Sequence, residues 1–273
     1  MGERSSGGEA DWPGRFLLHD LAACLRFYSR LPVPHLGPGD PYAAPDFTTV
    51  PRMLPVAGLI LALPAAGALL AAWALGLGPF LAAVLALAVS VVVTGALHED
   101  GLADVADGFG GATRERRLEI MRDSRIGAYG ATTLVLALLL RIGALATLLD
   151  RVAAVAAVAL LLAAALSRVA ALLPMVLLGP ARPDGLSSAV GRPSRGTLGV
   201  AAGFGLVLAL LALPFGLPAH GILLMLLLSG LAALALTRLA ASRIGGQTGD
   251  VVGACQQAAE IAGLLGLIAC LPA

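Results

Sequence analysis

The sequence predicts an all-α polytopic membrane bundle: about seven transmembrane helices behind an N-terminal amphipathic or re-entrant helix. Three observations predict it. Of 273 residues, 58% are hydrophobic and 13% charged, and mean hydropathy is +0.89, a balance no soluble domain needs. Apolar runs recur at bilayer length. The connecting loops alternate between Arg-rich and nearly uncharged. Net charge is +1, so no nucleic-acid partner is expected. Every basic residue is Arg, the better bidentate phosphate ligand. Cys24, Cys255 and Cys270 have no metal-type spacing and read as small packing residues, without a disulfide framework.

Residues 1–14 are Gly-, Ser- and Glu-rich and are expected to be a disordered tail with no signal-peptide pattern. Residues 15–273 read as one integral membrane catalytic domain. Over 15–30, Phe16, Leu17, Leu21, Cys24, Leu25 and Tyr28 form an apolar side, against polar Asp20, Arg26 and Arg30. That length, with charges inside it, suits a helix on the membrane or re-entering it. Residues 35–52 are a Pro-rich loop. Seven spans follow, near 53–75, 79–98, 127–149, 152–174, 197–216, 219–240 and 251–271. Loops at 99–126, 182–196 and 243–250 hold the Arg residues, on the side of the N-terminal segment. The positive-inside rule therefore makes the N-terminus cytoplasmic.

The chemistry concentrates in 97–111, LHEDGLADVADGFGG. Residues 53–97 carry no Asp, Glu, Lys or Arg; then Glu99, Asp100, Asp104 and Asp107 arrive together. On a helix Asp100, Asp104 and Asp107 share one face, within roughly 60°, with His98 nearly opposite. Carboxylates so crowded stay ionised around a hard divalent cation such as Mg²⁺. A solvated acidic helix end is the alternative, but ionisable groups at membrane depth are functional by default.

After the GFGG break (108–111), Thr113 is the expected N-cap of a helix carrying Arg116, Arg117, Arg122 and Arg125, fork-shaped donors suited to phosphate. An ordinary charged helix, with Glu119 paired to Arg116 or Arg122, is the plain alternative. Asp123, Ser124 and Arg125, at the mouth of the next span, make a plausible metal-plus-phosphate site beside Asp100–Asp107. RIGGQTGDVVGA (243–254) is a Gly-rich turn leading into a helix, able to present backbone N–H groups to an anion; Asp250 could instead be only an N-cap. Glu260 inside the last span needs a partner, with Arg141 and Arg168 available. Loop 182–196 could close over an anionic ligand or be a linker.

These residues carry a resemblance. LHEDGLADVADGFGG with RLEIMRDSRIGAYG (117–130), FYSRLPVP (27–34), SRVAALLPM (167–175) and GGQTGDVVGA (245–254) occur in the order seen in the cobalamin synthase family of membrane adenosylcobinamide-GDP ribazoletransferases. Where that family often has Gly-Gly before Leu-His, this chain has Gly95-Ala96. The resemblance implies joining of GDP-activated cobinamide to α-ribazole or its 5′-phosphate, with release of GMP, at the bacterial inner membrane with Mg²⁺. Its active site would face the cytoplasm, and self-association into a homo-oligomer is compatible with it. On this reading Asp100, Asp104, Asp107 and Asp123 hold metal. Arg122 and Arg125 stabilise the leaving phosphate, and Asp107 or Asp123 takes the hydroxyl proton. Arg116, Arg117, Ser124, Gly246, Thr248 and Asp250 bind substrate, while His98 packs.

Two other classes fit the composition. CDP-alcohol phosphotransferases also begin an Asp cluster with Asp-Gly, but call for Ala-Arg where this chain has Ala103-Asp104. An ion-coupled transporter should show internal repeats and midplane-broken helices; no internal repeat is visible, and the charged groups crowd one face rather than the midplane.

Overall fold

The computed structural model describes residues 13–36, 44–183, 185 and 190–272. The expected disordered tail lies almost wholly outside them. The described chain is helical: α1 (Pro13–Phe27), a 3-10 turn (Val50–Met53), α2 (Leu54–Ala74), α3 (Gly78–Thr94), α4 (Leu97–Phe109), α5 (Arg114–Ile120), α6 (Ala128–Ala170), α7 (Leu173–Leu177), α8 (Arg195–Ala212), α9 (Ala219–Ile244) and α10 (Gly249–Ala269).

Among the described residues five helical stretches are long and apolar enough to cross a membrane, and α3 with α4, bent by 90°, makes a sixth if the pair is one span. One of the five, Ala128–Leu177, runs through α6 and α7 as 50 residues. It is not one rod, because Val152 sits at φ −153°, ψ 90°, outside helical geometry. In a straight helix Arg141 and Ser167 would lie about 39 Å apart. Here Arg141 bonds Glu260, and Ser167 bonds Gln256, which itself bonds Glu260. The chain therefore folds back at Val152 into two antiparallel arms. Asp150–Arg151 marks the turn. Arg151 donates to the carbonyls of Ile268 and Leu271 at the end of α10, where a cation suits the helix dipole.

The two ends of the bundle differ in charge. At one end Arg114 donates to the carbonyls of Ala181 and Ile244, and Arg117 to that of Arg243, so the three Arg-bearing loops meet. At the other end Arg151 meets the chain terminus, and His220 lies 3.3 Å from the Cys270 carbonyl. Between the ends, α10 is the central post, packed on α4, α6 and α9. Of its apolar window 67% is buried, against 22% for α8 and 28% for α9 on the periphery.

α1 has 15 residues, about 22 Å, too short to span. Cys24 and Tyr28 face inward, and Phe16 and Leu18 outward. Asp20, expected on the polar side, is buried against Arg52 of the 3-10 turn. Burial pushes its carboxyl up, and Arg52 works against that shift.

The second span ends earlier than the hydropathy suggests. Gly95 (φ 65°) and Ala96 (φ 59°) are both left-handed, and the chain turns 90° between α3 and α4. A Cβ on Gly95 would come within 2.5 Å of the Arg30 side chain. Ala96 is the one described non-glycine residue at positive φ, a conformation that crowds its Cβ against the next carbonyl. Ala96→Gly is expected to stabilise the protein by about 0.5–1 kcal/mol, relief of strain outweighing the freer unfolded chain. A thermal unfolding midpoint raised in detergent would show it, and a lowered one would refute the strain.

Candidate active site

The corner sets α4 across the start of α10, and glycine lets the two touch. A Cβ at Gly101 would lie 2.9 Å from the Asp250 carbonyl oxygen, and one at Gly253 would lie 3.3 Å from His98 Cα. Asp100 and Asp250 therefore reach one cleft of about 240 Å³. It is lined by the aromatic Phe27, Tyr28 and Phe47 and by the polar Asp100, Arg182, Gln247, Thr248 and Asp250. The aromatic rings brace each other edge-on, with Phe27 4.9 Å from Tyr28 and 5.1 Å from Phe47.

The start of α10 is built as a small polar frame. Thr248 is the N-cap, accepting from Val251 N at 3.3 Å and donating to Asp250 Oδ2 at 3.0 Å. The bland reading of Asp250 as the cap is thus corrected, and its carboxylate is left to face Arg182 at 3.2 Å. A Cβ at Gly246 would lie 2.7 Å from the Gly179 carbonyl oxygen and from Ala181 Cα, so this glycine serves the packing of two backbones.

The acidic face of α4 is real but unevenly used. Asp104 is half-buried on the same helix face as Asp100 and Asp107. Asp107 accepts from Gly127 N at 2.7 Å and Gly130 N at 2.8 Å, so it also caps the start of α6. Among the described residues no three His, Cys, Asp or Glu side chains are placed to hold one metal ion.

The arginine helix departs further from expectation. Thr113 caps α5 as predicted, accepting from Arg116 N. Arg116 pairs with Glu119 at 2.8 Å, the ordinary ion pair. Arg117 is a staple, donating to the carbonyls of Gly111, Ala112 and Arg243. Asp123 takes Arg125 at 2.6 Å, and that guanidinium holds its carboxyl down to about 2. Arg122 and Ser124 lie exposed on the same turn. None of these six lines the cleft.

His98, on the far side of the wheel, lies flat on Tyr28 with ring centroids 5.9 Å apart, and lines the same cleft as Asp100. It packs, as expected, but at the site. Sequence reasoning missed Phe27, Tyr28, Phe47, Arg182 and Gln247 as wall residues. Phe27 and Tyr28 open the FYSRLPVP segment, Gln247 sits inside GGQTGD, and Arg182 begins the loop suspected of covering an anion.

Behind the cleft, Glu260 finds its partner in Arg141, at 2.8 Å. Arg141 also holds Glu99 at 2.8 Å, and Gln257 bonds Glu99 at 3.1 Å. Arg168 is buried beside them, one donor on the Ala164 carbonyl. Arg141 thus bridges two carboxylates, and Glu99 is the residue next to Asp100.

No solved structure matches the chain. A model of the cobalamin-5-phosphate synthase family matches residues 20–268. The chain belongs to that family. It is 51% identical to an adenosylcobinamide-GDP ribazoletransferase of Azorhizobium caulinodans, over 92% of this chain and 96% of the relative. A Xanthobacter autotrophicus protein of the same name is 48% identical, over 92% and 96%. One from Bradyrhizobium diazoefficiens is 45% identical, over 92% and 94%.

Glu260→Ala in this family member would leave Arg141 with half its compensation in a buried setting. We expect a loss of about 3 kcal/mol in stability, read as a lowered unfolding midpoint in detergent. An unchanged midpoint would mean that the network contributes little.

Proposed function

We propose that the chain is an adenosylcobinamide-GDP ribazoletransferase, joining GDP-activated cobinamide to α-ribazole or its 5′-phosphate at the cleft. The observation that carries this reading is the convergence of Asp100, Asp250 and Arg182 on one cleft that aromatic rings also line. A ribose hydroxyl oxygen attacks the phosphorus that carries the cobinamide. The P–O bond to GMP breaks, and GMP leaves with the bridging oxygen. Such displacement needs alignment and neutralised phosphate charge more than covalent help.

The chain's own groups divide these tasks. Arg182 faces the leaving phosphate as a planar fork of donors. Asp100, exposed in the cleft, accepts the hydroxyl proton. This assignment moves away from Asp107, committed to two backbone N–H groups, and from Asp123, committed to Arg125. The aromatic wall excludes water from one side of the reacting group.

Mg²⁺ is the metal the donor set suits: Asp104 and Asp250 offer only hard oxygens. Mg²⁺ is usually bound through one or two carboxylates plus substrate phosphates, rather than by an all-protein cage. A site without three preset ligands fits a metal that binds together with the pyrophosphate. Its chemistry would be to neutralise charge on the phosphate oxygens.

The cleft opens at the Arg-rich end of the bundle, which the positive-inside rule assigns to the cytoplasm. We place the N-terminus there and the protein in the bacterial inner membrane, with the lipid bilayer as its standing partner. Release of GMP by protein purified in detergent, with either acceptor and Mg²⁺, tests the site. Asp100→Asn and Asp250→Asn are expected to lower turnover about 10²- to 10³-fold, and Asp123→Asn only slightly. Full turnover in the first two with loss in the third would move the site to the α5 turn.

A further inference from the structure

Gln247 stands out among the wall residues. Its relative exposure is 0%, yet neither its amide oxygen nor its amide nitrogen has a hydrogen-bond partner among the described residues. Its backbone, by contrast, is fully engaged. Gln247 N donates to the Gly179 carbonyl at 2.9 Å, and its own carbonyl accepts from Ala181 N at 2.8 Å. The close approach at Gly246 fixes the same segment. The side chain is thus held in the cleft wall by a rigid backbone, with its polar atoms unused.

A buried carboxamide left unpaired destabilises the free protein. Met or Leu would fill the place without that cost. A ligand that brings the missing partners accounts for it, because a buried polar group so satisfied contributes to binding and rejects ligands lacking the match. We propose that Gln247 is a substrate-binding residue that receives a planar amide-type edge, one donor beside one acceptor, within the cleft.

The chemistry follows from the group itself. A carboxamide presents two N–H donors and one acceptor oxygen in one plane. Its complement is a lactam or a primary amide. Resting on the transferase reading, two parts of the donor substrate carry that edge: the guanine of the GDP moiety and the carboxamide arms of the corrinoid. The cleft, at about 240 Å³, lies below the ~300–1,000 Å³ that encloses a whole ligand. It takes a portion of the substrate, and Phe27, which lines the same cleft, offers a flat surface for a planar group.

The test uses the full chain in detergent and the variant Gln247→Met, unbranched, of similar length and without polar atoms. Binding of GMP and of cobinamide is measured separately, alongside thermal unfolding without ligand. The expected result is an unfolding midpoint equal to or above wild type, with affinity for one probe about 10- to 100-fold weaker. Loss on GMP identifies the guanine edge, and loss on cobinamide the corrinoid amide. Wild-type affinity for both probes overturns the proposal. So does a lowered midpoint with both affinities retained, which marks a structural amide. If the Met variant does not fold, Gln247→Asn withdraws the amide by one carbon and is judged by the same two affinities. Binding of neither probe by the wild type would instead count against the transferase reading, and this proposal would fall with it.

Discussion

The site depends on one crossing: α4 laid over the first turn of α10 at Gly101 and Asp250. Backbone meets backbone there, with no room for a side chain. The contact would be idle if α4 continued α3 across the bilayer. It exists because two successive left-handed residues turn the chain through 90°. The Glu99–Arg141–Glu260 network then ties the turned helix to the first arm of α6 and to α10. Buried charges within a membrane protein are expensive unless paired. Here they are paired across three elements, so the polar interior resists any shift of α4. Asp100, one residue from Glu99, inherits that position.

The network also explains why a chain so apolar keeps ionisable groups at depth. Leu-rich helices slide on one another with little preference, since lipid tails solvate Leu as well as a neighbouring helix does. Hydrogen-bonded charges have one register. Small residues then let the fixed helices close up, as where Gly263 sits against Ser229, whose hydroxyl reaches the Ala259 carbonyl. The frame is rigid where α4, α6 and α10 meet. The peripheral α8 and α9 carry far less of their surface inside.

Much of this was legible in the sequence, for physical reasons. Bilayer thickness fixes the length of an apolar run, so the spans could be read from composition, including both arms of α6, whose break Asp150–Arg151 announced. The partner of Glu260 was readable because a lone carboxylate at depth demands a cation. The acidic face of α4 followed from helical spacing. The corner at Gly95–Ala96 was not readable, because alanine gives no sign of a left-handed conformation. The fate of the arginines was not readable either. Arg117 has the chemistry of a phosphate ligand, yet its donors go to three carbonyls that only the folded loops bring together. The aromatic wall was hidden for the same reason: Phe27 and Phe47 are twenty residues apart in sequence, and their meeting is tertiary. The helical wheel set His98 away from the acidic face, and it does pack there, yet the cleft reaches the first turn of α4, where buried His98 lines it together with Leu97 and Asp100.

The central claim is that the reacting pyrophosphate sits at the α4–α10 crossing. An experimental structure of the protein with GDP-activated cobinamide and Mg²⁺ tests it most directly. The account predicts phosphate density between Asp100, Asp250 and Arg182, with one planar end of the donor against Gln247 and Phe27. Phosphate density seated instead on Arg122 and Arg125, with the cleft filled only by lipid or detergent, would contradict it.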